Sequence, residues 1–411
     1  SLLSPWTEVF GAKNSGFDLG RDYYPPAKTG LRGSHNGAWE TMHAHVAGAR
    51  WPAGPIDEEY DLVVVGGGIG GLSAAHFYRR EKPSARILVL DNHDDFGGHA
   101  KRNEFDVNGR THIAYGGTES IDTPSGYSEV SRALLEDIGI DLQKFYEYYD
   151  QQLYDKMGLS YAIAFDQETY GKRKLVTGYG QRPWQEFAAE TPLSEQARAD
   201  LVRAFTDNRD YLPGMSRDEK IAKLSRISYR TYLRDYVKVD EQILEMYQRW
   251  GMSYWCVGMD EVPAIDILGY SDGGTLPGLG QTLSQEGGRG VEPYIFHFPD
   301  GNASVARLLV RSLIPEALPG GTMEDSVTAR LDYSKLDRDG AALRIRLNST
   351  AVNVAHTADE KAVDVTYVHS GKTHRVRAKR CVLACYNSAI PYICPELPEK
   401  QKAGLAYNVK V

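Results

Sequence analysis

The 411-residue sequence predicts an α/β fold in which one domain is built on a parallel sheet and a second domain is largely helical. Three observations carry that prediction. The apolar run Leu62-Val63-Val64-Val65 leads into Gly66, Gly68 and Gly71, and then into the small-residue stretch Leu72-Ser73-Ala74-Ala75. A second apolar run, Ile87-Leu88-Val89-Leu90, ends in Asp91. Between residues 191 and 251 the pattern turns helical, with capping residues ahead of amphipathic stretches.

The first two observations form one unit of strand, glycine turn, helix, strand and acid. Gly66 permits the tight turn, Gly68 lets backbone approach a pyrophosphate, and Gly71 lets the helix pack close on the strand. Ile69 and Gly70 lie at the helix start, where free N–H groups and the positive dipole end favour phosphate. Asp91 follows the last glycine by about 20 residues, the spacing at which a carboxylate accepts hydrogen bonds from an adenosine ribose and repels a 2′-phosphate. This is a Rossmann-like dinucleotide-binding pattern. Beyond Asp91 and Asn92, the pair Gly97-Gly98 and then His99 predict a second backbone approach to the same pyrophosphate.

The remaining segments fall into order around that unit. Residues 1–59, rich in Gly, Pro and aromatics, read as an extension draped over the body. The first segment of the dinucleotide domain runs over 60–122, the helical domain over 123–290, and the second segment of the dinucleotide domain over 291–390. Residues 391–411 read as the start of a further piece of the helical domain. In the helical region Thr191-Pro192 predicts a cap and first turn for a helix running on to Asn208. Ser216-Arg217-Asp218-Glu219 predicts a capping box, and Asp240 caps a third helix ending near Gly251. A β-meander is predicted from residues 343–347, 351–354, 363–369 and 374–377.

A net charge of −8 argues against a nucleic-acid partner and suits a cationic one. No apolar run reaches the eighteen or so residues that a membrane helix requires. The four cysteines, at 256, 381, 385 and 394, lack the paired spacing of a zinc site. They read as small core residues, with a Cys385 to Cys394 disulfide as the alternative.

The second glycine pair resembles that of the flavin amine oxidase and desaturase superfamily, which binds FAD. Further resemblances are the run of residues 109–118 ending in Gly116, Gly117 and Thr118, similar to the strand and turn beneath the isoalloxazine, and Phe298-Pro299-Asp300-Gly301-Asn302, where Asn302 departs from a second glycine. Val352 sits in a stretch similar to the strand whose valine backbone meets the adenine, and residues 380–385 resemble the strand returning to the FAD domain. Tyr24-Pro25-Pro26, the run of residues 30–35, Met42-His43-Ala44-His45 and the run of residues 115–122 are similar to bacterial spermidine dehydrogenases. That resemblance implies FAD-dependent oxidation of a polyamine to an imine, which hydrolyses to an aminoaldehyde and a diamine. It also implies an acceptor other than NAD, a periplasmic location and possible haem b, with His35 or His43 as axial ligand. No C-x-x-C-H occurs, which argues against covalent haem attachment. The superfamily's last segment, which completes the flavin site, has no counterpart among these residues, so the resemblance implies either that the sequence is an incomplete or cleaved chain or that a separate C-terminal piece completes the site. Alternative readings are another flavin amine oxidase or desaturase, or a flavin-binding component without turnover.

Amine oxidation needs a free nitrogen lone pair. An alkyl ammonium of pKa about 10.4 is neutral at pH 7 about once in ~2,500 molecules, a cost of ~4.6 kcal/mol. Apolar and aromatic walls lower that pKa, while a carboxylate beside the reacting nitrogen would raise it. Carboxylates therefore belong on distal ammonium groups. Glu119 and Asp122, just after Gly116-Gly117, are candidates for that role, with a local loop hydrogen bond as the plain alternative. Tyr254 and Trp255 are candidates for aromatic walls, or else for core. No catalytic residue is assigned from the sequence.

Overall fold

The computed structural model describes residues 19, 22–28, 39–207, 209–267 and 292–407. The chain divides into two compact units, one comprising residues up to 149 and from 294 onward, the other residues 150–293. His35 lies outside the described residues.

The first unit is organised by a six-stranded sheet. Its strands are β1 (Glu58–Val65), β2 (Ile87–Leu90), β7 (Leu343–Arg346), β8 (Ser349–His356), β9 (Val363–His369) and β10 (Lys372–Leu383), in the spatial order β7-β2-β1-β10-β9-β8. β1 pairs parallel with β2 and with β10, and β2 pairs parallel with β7. β10, β9 and β8 are antiparallel neighbours. Strands of a parallel sheet are covered on both faces and so read as unbroken apolar runs. Residues 62–65 and all of β2 are buried accordingly. Alternate residues feed two cores. Leu62, Val64, Ile87 and Val89 meet Leu72 and Ala75 of the helix Ile69–Glu81 and Leu308 and Leu309 of the helix Ala303–Leu313. Val63, Val65, Leu88 and Leu90 meet Val365, Tyr367 and Val376.

Several boundaries differ from the sequence reading. Residues 123–149 belong with the sheet, because Leu135, Ile138, Ile140 and Phe145 enter its core. Residues 391–407 also join that unit, with Ile393 buried against β-strand residues. The segment at 343–347 is not part of the meander; β7 pairs with β2 on the opposite edge. The stretches at 374–377 and 380–383 are one twelve-residue strand, β10. All four cysteines are free thiols.

Two smaller antiparallel pairs complete the strands among the described residues: β3 (Lys101–Val107) with β4 (Arg110–Gly116), and β5 (Ala162–Phe165) with β6 (Lys174–Thr177). The second unit is helical around a core that includes Phe187, Leu201, Tyr232, Leu244 and Tyr247. Ser216 and Glu219 form the predicted capping box, and Asp240 caps Glu241–Gln248. The helix Glu195–Thr206 starts later than predicted, because Ser194 rather than Thr191 accepts the Ala197 N–H. Among the described residues no helix is long and apolar enough to cross a membrane.

The sheet buries charge only where it is matched. Arg346, 1% exposed, donates to Asp337 at 2.7 Å, to Glu58 at 2.8 Å and to the Tyr367 hydroxyl at 2.6 Å. Replacing one partner of such a pair strands the others, a loss of about 3–5 kcal/mol. Arg346→Ala is expected to lower the unfolding free energy by that amount, measured by denaturant titration.

Candidate dinucleotide and amine site

β1 ends at Val65 and the glycine turn follows, at the carboxyl edge of the parallel strands where open α/β sheets bind ligands. Gly66 has φ +110°, a left-handed conformation, and its position faces the Ala384 carbonyl too closely for a Cβ. At Gly71 a Cβ would lie 1.9 Å from the Gly66 carbonyl oxygen, so the helix Ile69–Glu81 can approach the strand only as glycine. Gly68 is different. Its backbone is ordinary extended, at φ −70° and ψ 175°, and a Cβ there would meet nothing closer than Gly98 Cα at 3.6 Å. The chain's own packing does not require glycine at 68. A Cβ at Gly68 would make only ordinary contact, and its place at the N-terminus of a thirteen-residue helix fits the close approach of a phosphate.

The second glycine pair lies against that turn. Gly97 N–H donates to the Gly67 carbonyl at 2.8 Å, and Gly68 and Gly97 form an isolated parallel bridge. The Asp91 carboxylate is buried and already engaged: one oxygen accepts Gly67 N–H at 2.7 Å and the other accepts His93 N–H at 2.8 Å. A carboxylate offers about four lone-pair sites, so these bonds fix the turn and leave acceptor capacity for a ribose. Asn92 is half-buried beside it. Val352 is buried, and a register shift between Ala351 and Asn353 takes it out of the β8–β9 ladder, freeing its backbone for another partner.

From the glycine pair a continuous line of contacts leads to Glu119. Gly117, at φ +87°, lies so close to the His99 carbonyl that a Cβ would stand 2.5 Å from its oxygen. Thr118 is held by Asn302, whose backbone N–H donates to the Thr118 carbonyl at 3.2 Å and whose amide donates to the Thr118 hydroxyl at 2.7 Å and the Ser120 carbonyl at 2.9 Å. These bonds are the physical reason for asparagine at 302. Beneath them Arg102 donates to the fully buried Asp300 at 2.8 Å, and Ser304 donates to the other Asp300 oxygen at 2.7 Å.

Glu119 is half-buried among aromatic rings. Tyr294 donates to it at 2.9 Å, and the Ser120 hydroxyl donates to the Tyr294 oxygen. Tyr149 and His297 complete the cluster, with ring centroids 4.7 Å apart, and Tyr294 stands 5.6 Å from His297. Burial, then the charge of Glu119, pushes the Tyr149 hydroxyl up to about 12. Burial holds the His297 imidazole below its ordinary range, against the opposing pull of Glu119. Burial and then the neighbouring carboxylates Glu119 and Asp122 raise Tyr294, while Glu119 raises Tyr115. Asp122 is exposed and accepts the Thr123 hydroxyl at 3.0 Å, the local loop bond.

The other candidates fall elsewhere. Tyr254 is exposed in the helical unit, and Trp255 packs partly buried against that unit's core. His43 lies on the short helix Glu40–Val46, 5.5 Å from the Trp39 ring. Among the described residues no group of three histidine, cysteine or acidic side chains is placed to hold a metal ion. Tyr149, Tyr294 and His297 were not foreseen. His297 stands one residue before the recognised Phe298-Pro299-Asp300-Gly301 turn, which was the available signal.

Residues 64–138 match the NAD(P)-binding Rossmann-like domain family. Oxidoreductase PigB of Serratia sp. (strain ATCC 39006) is 43% identical over 51 residues, 12% of this chain and 7% of that protein. Among solved structures, putrescine oxidase bound to putrescine is 15% identical, with a TM-score of 0.43 over 85% of this chain and 63% of that one. Cyclohexylamine oxidase from Brevibacterium oxydans IH-35A is 16% identical, with a TM-score of 0.43 over 84% of this chain and 63% of that one. The chain thus spans about 63% of the length of these solved proteins.

Two glycine substitutions separate the roles in the turn. Gly68→Val is expected to fold with unchanged circular dichroism and to purify without bound dinucleotide, whereas Gly71→Ala, forced against the Gly66 carbonyl, is expected to lose stability outright. A Gly68→Val protein carrying full cofactor, read from its absorbance, would remove the phosphate role of Gly68.

Proposed function

We propose that this chain is part of an FAD-dependent oxidoreductase that oxidises a polyamine of the spermidine type. The observation that carries the reading is the placement of Glu119 among Tyr115, Tyr149, Tyr294 and His297, at the end of the contact line that starts at the glycine turn. Gly66, Gly68, Gly70 and Gly71 with Ile69, the pair Gly97-Gly98, Asp91 and the backbone of Val352 would hold the dinucleotide. His99, Gly116, Gly117 and Thr118 would run under its reactive end. When bound, flavin supplies the acceptor for a hydride equivalent from the carbon beside an amine nitrogen.

The protein's own contribution is positional and electrostatic. Glu119 grips an ammonium group and so sets how far along the chain of carbons the flavin lies. The aromatic rings exclude water and favour a cation over a neutral solute. Asp122, already bonded to Thr123 and exposed, contributes less. The nearby presence of Glu119 argues that the nitrogen held there is a distal one, since a carboxylate would hold the reacting nitrogen protonated.

Purified protein is expected to show a flavin spectrum that bleaches anaerobically with spermidine. Glu119→Gln should weaken spermidine binding by about 2–5 kcal/mol, since it leaves a desolvated ammonium without its counter-charge. Asp122→Asn should cost less. Unchanged spermidine binding by Glu119→Gln in the reductive half-reaction would remove the proposed role of Glu119.

A further inference from the structure

The Tyr149 hydroxyl has two partners on one residue: His297 Nδ1 at 2.7 Å and the His297 carbonyl oxygen at 2.8 Å. It has a single proton to share between them. The carbonyl can only accept, so the arrangement that satisfies both contacts has the hydroxyl donating to the carbonyl and accepting from Nδ1–H. The alternative sets two oxygens 2.8 Å apart with no hydrogen between them. The neutral imidazole is therefore the Nδ1–H tautomer, with its lone pair on Nε2. Among the described residues Nε2 makes no hydrogen bond. Glu119 is the charged group that acts on this ring, and the other titratable groups facing it are Tyr149, at the C-terminal end of the helix Gln143–Tyr148, and Tyr294 of its own segment.

A primary ammonium carries three N–H donors and, once desolvated, needs an acceptor for each. Glu119 supplies charge and one or two acceptor sites. Nε2 supplies a further one, and the Tyr149 and Tyr294 rings offer polarisable walls. We propose that Glu119 and His297 Nε2 together form a primary-ammonium subsite, which accepts its cation only while His297 is neutral. The proposal rests on the reading that the ligand is an alkyl amine, and it names the end group and the residue that selects it. Protonating His297 removes the Nε2 acceptor and adds a like charge beside the bound cation. Because burial holds His297 below the ordinary histidine range, binding is complete at neutral pH and fails as pH falls through the depressed value. An alkyl ammonium stays charged across that window, so the ligand contributes nothing to the change.

The test uses the whole chain, anaerobically, with n-butylammonium and its trimethylated analogue as probes in titration calorimetry at pH 7.5 and pH 5.0. Wild type is expected to bind butylammonium more weakly at pH 5.0 than at pH 7.5, and to prefer it about tenfold over butyltrimethylammonium, which has no N–H to donate. His297→Gln, whose amide oxygen still accepts, should bind with little pH dependence. Imidazole ¹⁵N shifts, assigned by the signal lost in that variant, should show protonated Nδ1 and bare Nε2 at pH 7.5. A flat wild-type response, a His297→Gln protein that keeps the pH dependence, equal binding of the two probes, or a protonated Nε2 at pH 7.5 would each overturn the subsite. The outcomes also separate from the oxidation reading. Binding with this signature but no bleaching by spermidine retains the subsite and removes the oxidation, and bleaching without the signature does the reverse.

Discussion

The ion pair between Arg102 and Asp300 is the constraint on which the rest of the site depends. Both side chains are buried, and they join the β3–β4 hairpin to the turn that starts the helix Ala303–Leu313. Arg102 is also held by Glu104 at 2.7 Å, and Glu104 accepts the Tyr24 hydroxyl at 2.6 Å. Isolated in the interior, any of these charges would be costly, and matched they lock one registration of hairpin against helix. That registration puts Gly301 within reach of Thr118 and Tyr115, and Asn302 under Thr118 and Ser120. Glu119 is placed by consequence.

Two acidic neighbourhoods of this unit differ in their compensation. Around Arg344 and Arg346, the carboxylates of Glu58 and Asp337 are matched by guanidinium groups at 2.5–2.8 Å. Such a cluster has structural value and little field to offer a solute. Glu119 accepts the Tyr294 hydroxyl and lies near an imidazole whose charged form burial disfavours, and neither cancels a negative charge at neutral pH. The first arrangement is finished by the protein itself. The second leaves the charge of Glu119 without a cationic partner among the described residues.

The glycine turn was legible in the sequence because each of its residues does a local job. Gly66, Gly71, Gly97 and Gly117 are each demanded by a backbone atom that would collide with a side chain, and such demands leave a compact motif. The buried parallel strands were legible for a similar reason, since burial on both faces leaves runs of apolar residues. The aromatic cluster was not. Tyr149 and His297 are 148 positions apart, and the place of His297 beside the Phe298-Pro299 turn is the one local mark that either carries. A boundary at 122 falls too early because amphipathic helices look alike whichever core they face, and the residues that place 123–149 with the sheet are ordinary apolar ones. Asn302 read as a departure from a pattern, whereas its amide is what holds the following loop.

β10 serves two partners at once. Val376, Arg377 and Ala378 pair with β1 on one side and with β9 on the other, so the parallel and antiparallel halves of the sheet overlap along three residues of one strand. A sheet joined this way has no seam: whichever neighbour leaves, residues 376–378 stay laddered to the other, so freeing them takes the loss of both ladders. Their amides would then exchange with solvent only through the slowest, most complete opening of the unit, and the bulge at Val352 would inherit the rigidity of the strand two places away.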